Sequence, residues 1–205
     1  MAQAYNRYFI VNKPYDMVSQ FISTHQVRLL GDLDFDFPEG THAVGRLDNH
    51  SEGLLILTTN KKVTQLLFEG ATPHTRTYLV KVKHTVSPES LDKLRKGIPI
   101  RVRGGGSYTT SPCDAEIVQK PPDLFDNGAE IWEFMPHTWL RITLTEGKFR
   151  QIRKMVRAIN HHCIRLIRLS VEDLELADLK VGAVREIEEA PFFQLLRIDH
   201  PDPRI

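Results

Sequence analysis

Residues 42–60 read HAVGRLDNHSEGLLILTTN. Within this stretch Leu54–Thr58 is a short continuous apolar run, the pattern of a strand buried on both faces. The polar loop before it carries Asp48, two residues after Arg46, and Gly45 and Gly53 bracket the loop and permit tight turns. A carboxylate held at the mouth of a buried strand is rigidly placed and can point into a cleft. A loop aspartate can equally cap Asn49 to Glu52 as an Asx turn, with no chemistry attached. These residues alone leave both readings standing.

Working outward, residues 7–12 (RYFIVN) read as a strand ending at Lys13-Pro14, and the turn-rich stretch 31–40 (GDLDFDFPEG) as a surface loop. Residues 61–69 place Val63, Leu66 and Leu67 at helical spacing. Thr77–His84 alternates Tyr78, Val80 and Val82 against Leu79, Lys81 and Lys83, as a half-buried strand does. Ser87-Pro88 opens a helix, serine as N-cap and proline at the first position, with Leu91 and Leu94 inside and Gly97 closing it. Residues 103–111 (RGGGSYTTS) read as flexible and 120–129 as a second loop. Trp139–Thr145 is a predicted strand. A helix follows over Phe149–Ile159, with Ile152, Met155, Val156 and Ile159 on one face. Cys163–Leu169 is another strand, with two shorter strands after it. Strands and helices without strict βαβ alternation predict an α+β fold.

The chain has 205 residues, 41% hydrophobic and 26% charged, the balance of an ordinary soluble protein with a real core. No apolar run reaches the roughly 18 residues of a membrane span. The N-terminus lacks the apolar stretch of a secretory signal, and Cys113 and Cys163 are too few for a disulfide framework. The expected location is the cytoplasm. The net charge of +1 hides an uneven distribution. From Arg141 to Arg168 eight basic residues face one acid, Glu146, a net +7, whereas residues 170–200 carry −5. A basic block on one face is the footprint of a phosphate-backbone ligand; a solvated helix face gives the same count.

Gly45-Arg46-Leu47-Asp48, then Ser51, Gly53 and the apolar strand, resembles the catalytic motif of the pseudouridine synthases. The branch is the one that modifies ribosomal RNA, comprising small-subunit synthase A and large-subunit synthases B, E and F. Many members have threonine where this chain has Ser51. Three further stretches match in the family's order: Asn12-Lys13-Pro14, with Asp16 where glycine is frequent; Arg76 to Val80, resembling the strand with the active-site tyrosine; and Glu146 to Met155, resembling the third motif. Ser51-Glu52-Gly53, Trp139 to Leu144 and Leu166 to Arg168 are most similar to the synthase E branch.

The resemblance implies a pseudouridine synthase fold: a mixed, mostly antiparallel sheet with flanking helices and a central catalytic cleft. The chain would be a single catalytic domain, 1–205, of two α/β lobes, without the N-terminal RNA-binding domain of the S4 type that some relatives carry. It implies an isomerase that needs neither cofactor nor metal and acts, as a monomer, on one uridine in a folded stem-loop of 23S ribosomal RNA. Uracil leaves C1′ of its ribose, turns, and is reattached through C5.

Asp48 would be the nucleophile, since a carboxylate can bond to a sugar carbon and leave again. It must be ionised to act, and Arg153, or failing that Lys148, would supply the cation that favours this. Tyr78 would stack on the uracil, with its hydroxyl near the ribose, although a core tyrosine on a half-buried strand fits the same residue. Arg46 would displace the target nucleotide from its stack. The remaining RNA contacts would be Lys13, Arg76, Lys148, Arg150, Lys154, Arg157, Arg165 and Arg168. Three other features carry less. Arg103 to Ser107 lacks the Gly-Lys-Ser/Thr ending of a nucleotide-binding loop. His161-His162-Cys163 has no second ligand pair of matching spacing. Asp48 with Glu52 could pose as a glycosidase pair. A catalytically silent RNA-binding protein would share the basic block, but would not need Asp48, Tyr78 and Arg153 together.

Overall fold

The two periodicities in the sequence become strands and helices close to the expected places. The computed structural model describes residues 5–70, 72–126 and 135–199. In chain order its elements are β1 (Tyr8–Lys13), β2 (His42–Val44), β3 (Glu52–Thr58), α1 (Lys62–Phe68), β4 (Arg76–Lys83), α2 (Pro88–Lys96), β5 (Pro99–Arg101), β6 (Ser107–Thr109), β7 (Asp114–Val118), β8 (His137–Leu144), α3 (Gln151–Ala158), β9 (Cys163–Val171), β10 (Leu174–Glu175), β11 (Val184–Ile187) and α4 (Glu189–Leu196). The strands build a large, mostly antiparallel sheet, so the protein is α+β as expected. The chain divides into two compact units, one of residues 1–74 with 168–205 and one of residues 75–167.

In the first unit β1 runs antiparallel between β11 and β3, with Ile10 opposite Arg185 on one side and Ile56 on the other. Every residue of β1 and of β3 is buried, as the unbroken apolar run of Leu54–Thr58 required. One set of alternate side chains, including Phe9, Val11, Leu55 and Leu57, packs with Met17, Leu30 and Leu33. Each such buried side chain contributes about 1.5–3 kcal/mol. Tyr8 packs against Phe192 of α4, the rings tilted by 32° with centroids 4.5 Å apart. The 31–40 stretch departs from a plain surface loop. Its Phe35 and Phe37 rings lie 5.5 and 5.9 Å from Phe9, so it closes the core. Alternate phenylalanines in a Gly- and Asp-rich stretch were the overlooked signal.

The second unit is built on β4–β8–β7, with Val80 opposite Leu140 and Leu140 opposite Ile117. Its core joins Val80, Val82, Leu140 and Ile142 to Leu91 and Leu94 of α2 and to Ile152, Met155 and Val156 of α3. Ser87 caps α2 as expected, its Oγ accepting from the Ser90 N–H at 3.2 Å. At the other end of α2, Gly97 has φ +95°, and a Cβ there would stand 2.3 Å from the Thr110 carbonyl oxygen. Only glycine fits. Three expectations change. β4 is buried on both faces at its centre, where Lys81 is 2% exposed beside Trp139. The 103–111 stretch contributes the second strand of a hairpin, Ile100 pairing with Tyr108. α3 starts at Gln151, because Arg150 is left-handed at φ 54°. Residues 127–129 of the expected second loop lie outside the described residues.

Candidate active site

Asp48 is half-buried, and its chain neighbours are pinned on both sides. Before it, the Ser19 hydroxyl donates to the Leu47 carbonyl and accepts from the Leu47 N–H, both at 3.0 Å. After it, the Asn49 carbonyl accepts from the Lys13 ammonium at 3.2 Å and from the Met17 N–H at 3.4 Å, and the Asn49 amide donates to Asp16 at 2.8 Å. The Ser51 N–H closes the turn onto the Asp48 carbonyl at 3.0 Å. His50 stacks on Tyr15, centroids 5.1 Å apart. The 14–19 segment therefore braces the 47–51 loop nearly residue by residue. A carboxylate on such a backbone loses little freedom on meeting a substrate, which is the pre-organisation that covalent catalysis uses. Gly45 is required where the loop leaves β2: its φ is +72°, and a Cβ would meet the Phe68 ring at 2.9 Å.

Lys13 is central to this bracing. Its side chain is fully buried, and its ammonium also donates to the carbonyls of Pro14 at 2.7 Å and Met17 at 2.5 Å. Burial pushes it down to about 7, against the opposing pull of Glu52, Asp16 and Asp48. In this structure Lys13, expected at the RNA, has its protons used inside the fold. Glu52 is likewise fully buried at the start of β3, which removes it as the partner acid of a glycosidase pair with Asp48.

The other expected residues fall into two groups. Arg76, Arg165 and Arg168 are 7%, 3% and 4% exposed. Arg165 donates to the Phe125 carbonyl at 2.7 Å and lies over the Phe125 ring, and Arg168 donates to the Leu54 carbonyl at 2.7 Å. All three are thus buried in this structure, and Arg165 and Arg168 bond to backbone carbonyls. Arg46, Lys148, Arg150 and Arg157 are exposed, and Lys154 is half-buried. Asp48 and Arg46 belong to the first unit, Tyr78 and Arg153 to the second. Tyr78 is half-buried against the second core, and Arg153 is half-buried on α3. His161 Nδ1 is engaged by the Lys83 carbonyl at 2.8 Å, which fits an ordinary turn.

One network was not foreseen. Glu146, the sole acid of the basic block, accepts from Tyr108 Oη at 2.5 Å, from the Ser111 N–H at 3.0 Å and from Gln151 Nε2 at 2.6 Å. Burial acts to raise this carboxyl, but the hydrogen bonds outweigh it and hold it below the usual range. Gln151 also receives the Lys148 N–H at 2.8 Å. The β5–β6 hairpin and the turn before α3 are thus tied together through one carboxylate. Its isolation in the charge count was the available signal.

The Asp48 loop, β4 and α3 all fall within residues 7–158, the span matched by a family model described as RNA pseudouridylate synthase. The chain belongs to that family. This synthase is 34% identical over 188 residues to ribosomal large subunit pseudouridine synthase E of Vibrio parahaemolyticus, covering 87% of this chain and 73% of that protein. It is 32% identical over 169 residues to the synthase E of Xanthomonas axonopodis pv. citri, covering 82% and 86%. A solved pseudouridylate synthase superposes with a TM-score of 0.74 at 23% identity, over 96% of this chain and 76% of that one, so the fold is shared. Like other members of its family the synthase is an isomerase that needs no cofactor.

Proposed function

We propose that this synthase isomerises one uridine of 23S ribosomal RNA to pseudouridine, with Asp48 as the nucleophile. The bond from C1′ to N1 breaks and one from C1′ to C5 forms; C5 loses its proton and N1 gains one. Asp48 attacks and later leaves the sugar carbon. Arg153 supplies the cation that favours an ionised nucleophile, Tyr78 the ring that holds the freed base, and Arg46 the wedge that extrudes it. The observation that carries the reading is the half-buried Asp48, held from both sides by Ser19, Lys13 and Met17 within the matching motif. The substrate rests on the names of the synthase E relatives. Lys148, Arg150, Lys154 and Arg157 are the phosphate-binding cations in this reading, and the enzyme works as a cytoplasmic monomer. Among the described residues no helix is long and apolar enough to cross a membrane.

The test offers purified enzyme 23S RNA, 16S RNA and bulk transfer RNA separately and maps the modified positions. Modification at one 23S position is expected. Product only in 16S or transfer RNA would sink the substrate assignment while leaving the chemistry. The phosphate-binding cations have their own measurement. Replacing Lys154 and Arg157 with glutamine should lower the slope of log affinity against log salt by about 0.7–0.9 for each phosphate no longer neutralised. An unchanged slope would make those cations a solvated face.

A further inference from the structure

Phe149 is 70% exposed, unusual for a large aromatic side chain in the most basic part of a chain. It stands in the turn before α3, between Lys148 and Arg150, and Lys154 Nζ lies over its ring at 5.3 Å from the centroid. Lys148 Nζ is similarly placed over Tyr108, at 4.8 Å. The carboxylate nearest in sequence, Glu146, is occupied by Tyr108, Ser111 and Gln151. Among the described residues no acid pairs with Lys148 or Lys154. The turn is also fixed in shape: Arg150 is held left-handed at φ 54°, and Gln151 accepts from the Lys148 N–H. An exposed ring on a rigid turn, beside two lysines without an acid partner among the described residues, matches an unstacked nucleobase flanked by phosphates. A protein partner would bring apolar contacts but give no reason for the cations, and a paired helix would hide its base faces from the ring.

We infer that Phe149 is a stacking platform for an unpaired nucleotide of the RNA, other than the uridine being isomerised, with Lys148 and Lys154 holding the phosphates beside it. The inference rests on the proposal that RNA is the substrate and adds an interaction that selects loop or bulge over duplex. Base–aromatic stacking is worth on the order of tenfold or more in affinity for each base.

The experiment measures binding of two fluorescently labelled RNAs, a stem-loop and a fully paired duplex of equal length, to wild type, Phe149→Ala, Phe149→Leu and Phe149→Tyr. Thermal melting serves as the folding control, and Phe149 is exposed enough that all four proteins are expected to melt together. Phe149→Ala and Phe149→Leu should each weaken stem-loop binding about tenfold and leave duplex binding unchanged, and Phe149→Tyr should restore it. Wild-type affinity in Phe149→Ala, full affinity in Phe149→Leu, or equal losses on both RNAs would each overturn the inference. Pseudouridine formation by the wild type, assayed separately on 23S RNA, keeps the two proposals apart. Without product the substrate reading fails, whereas the stacking platform is judged on binding alone.

Discussion

Asp48→Asn should abolish pseudouridine formation, with a loss of at least roughly 10³-fold, or ~4 kcal/mol of transition-state stabilisation. The amide has nearly the shape of the carboxylate but is hardly nucleophilic. Leu47, Asn49 and Ser51 are fixed through their backbone groups, by Ser19, Lys13, Met17 and the Asp48 carbonyl. None of those bonds uses the Asp48 side chain, so the loop backbone should keep its conformation. RNA affinity should change little, because the exposed cations remain. Tritium release from RNA labelled at uridine C5, measured on both proteins, reads the chemistry directly. Appreciable release by the asparagine variant would remove Asp48 from the role proposed for it.

The second large effect falls on stability. Lys13→Met keeps much of the aliphatic volume but leaves the Pro14 and Met17 carbonyls without their donor, while the Asn49 carbonyl keeps the Met17 N–H. Each stranded buried acceptor costs about 1–3 kcal/mol, and partial hydration of the loop brings the total to ~2–4 kcal/mol. For a domain of this size that corresponds to a fall in Tm on the order of 5–15 °C. Turnover should fall with it, since the Asp48 loop loses one of the three bonds that hold Asn49. A variant that melts within a degree of wild type would show that the three bonds are not stabilising.

The same lysine carries a pH signature. Its folded-state value, about 7, lies below the ordinary lysine range. Between about 7 and the unfolded value of ~10.4 the unfolded chain binds the extra proton, so the contribution of Lys13 to stability grows as pH rises through that window. The difference in urea midpoint between wild type and Lys13→Met should therefore be wider at pH 9 than at pH 7. A gap that narrows would place the folded-state value above the unfolded one.

What the sequence by itself determined is what depends on neighbours within a few residues. The run Leu54–Thr58 had to be a strand covered on both faces, and β3 is one. Ser87-Pro88 had to open a helix, and Ser87 caps α2. The order of the motifs around Asp48, Tyr78 and Arg153 was enough to name the family. Only the tertiary structure decided which cations are available. Lys13, Arg165 and Arg168 look like any other basic residue in a charge count, yet the first bonds to a carbonyl 36 positions away, the second 40 and the third 114. The bracing of Asp48 by Ser19 spans 28 positions and has no local signal at all. The reason is physical. A backbone preference is set by sterics and hydrogen bonds inside one turn or strand, whereas burial of a charge is set by whichever distant segments pack around it and offer their carbonyls.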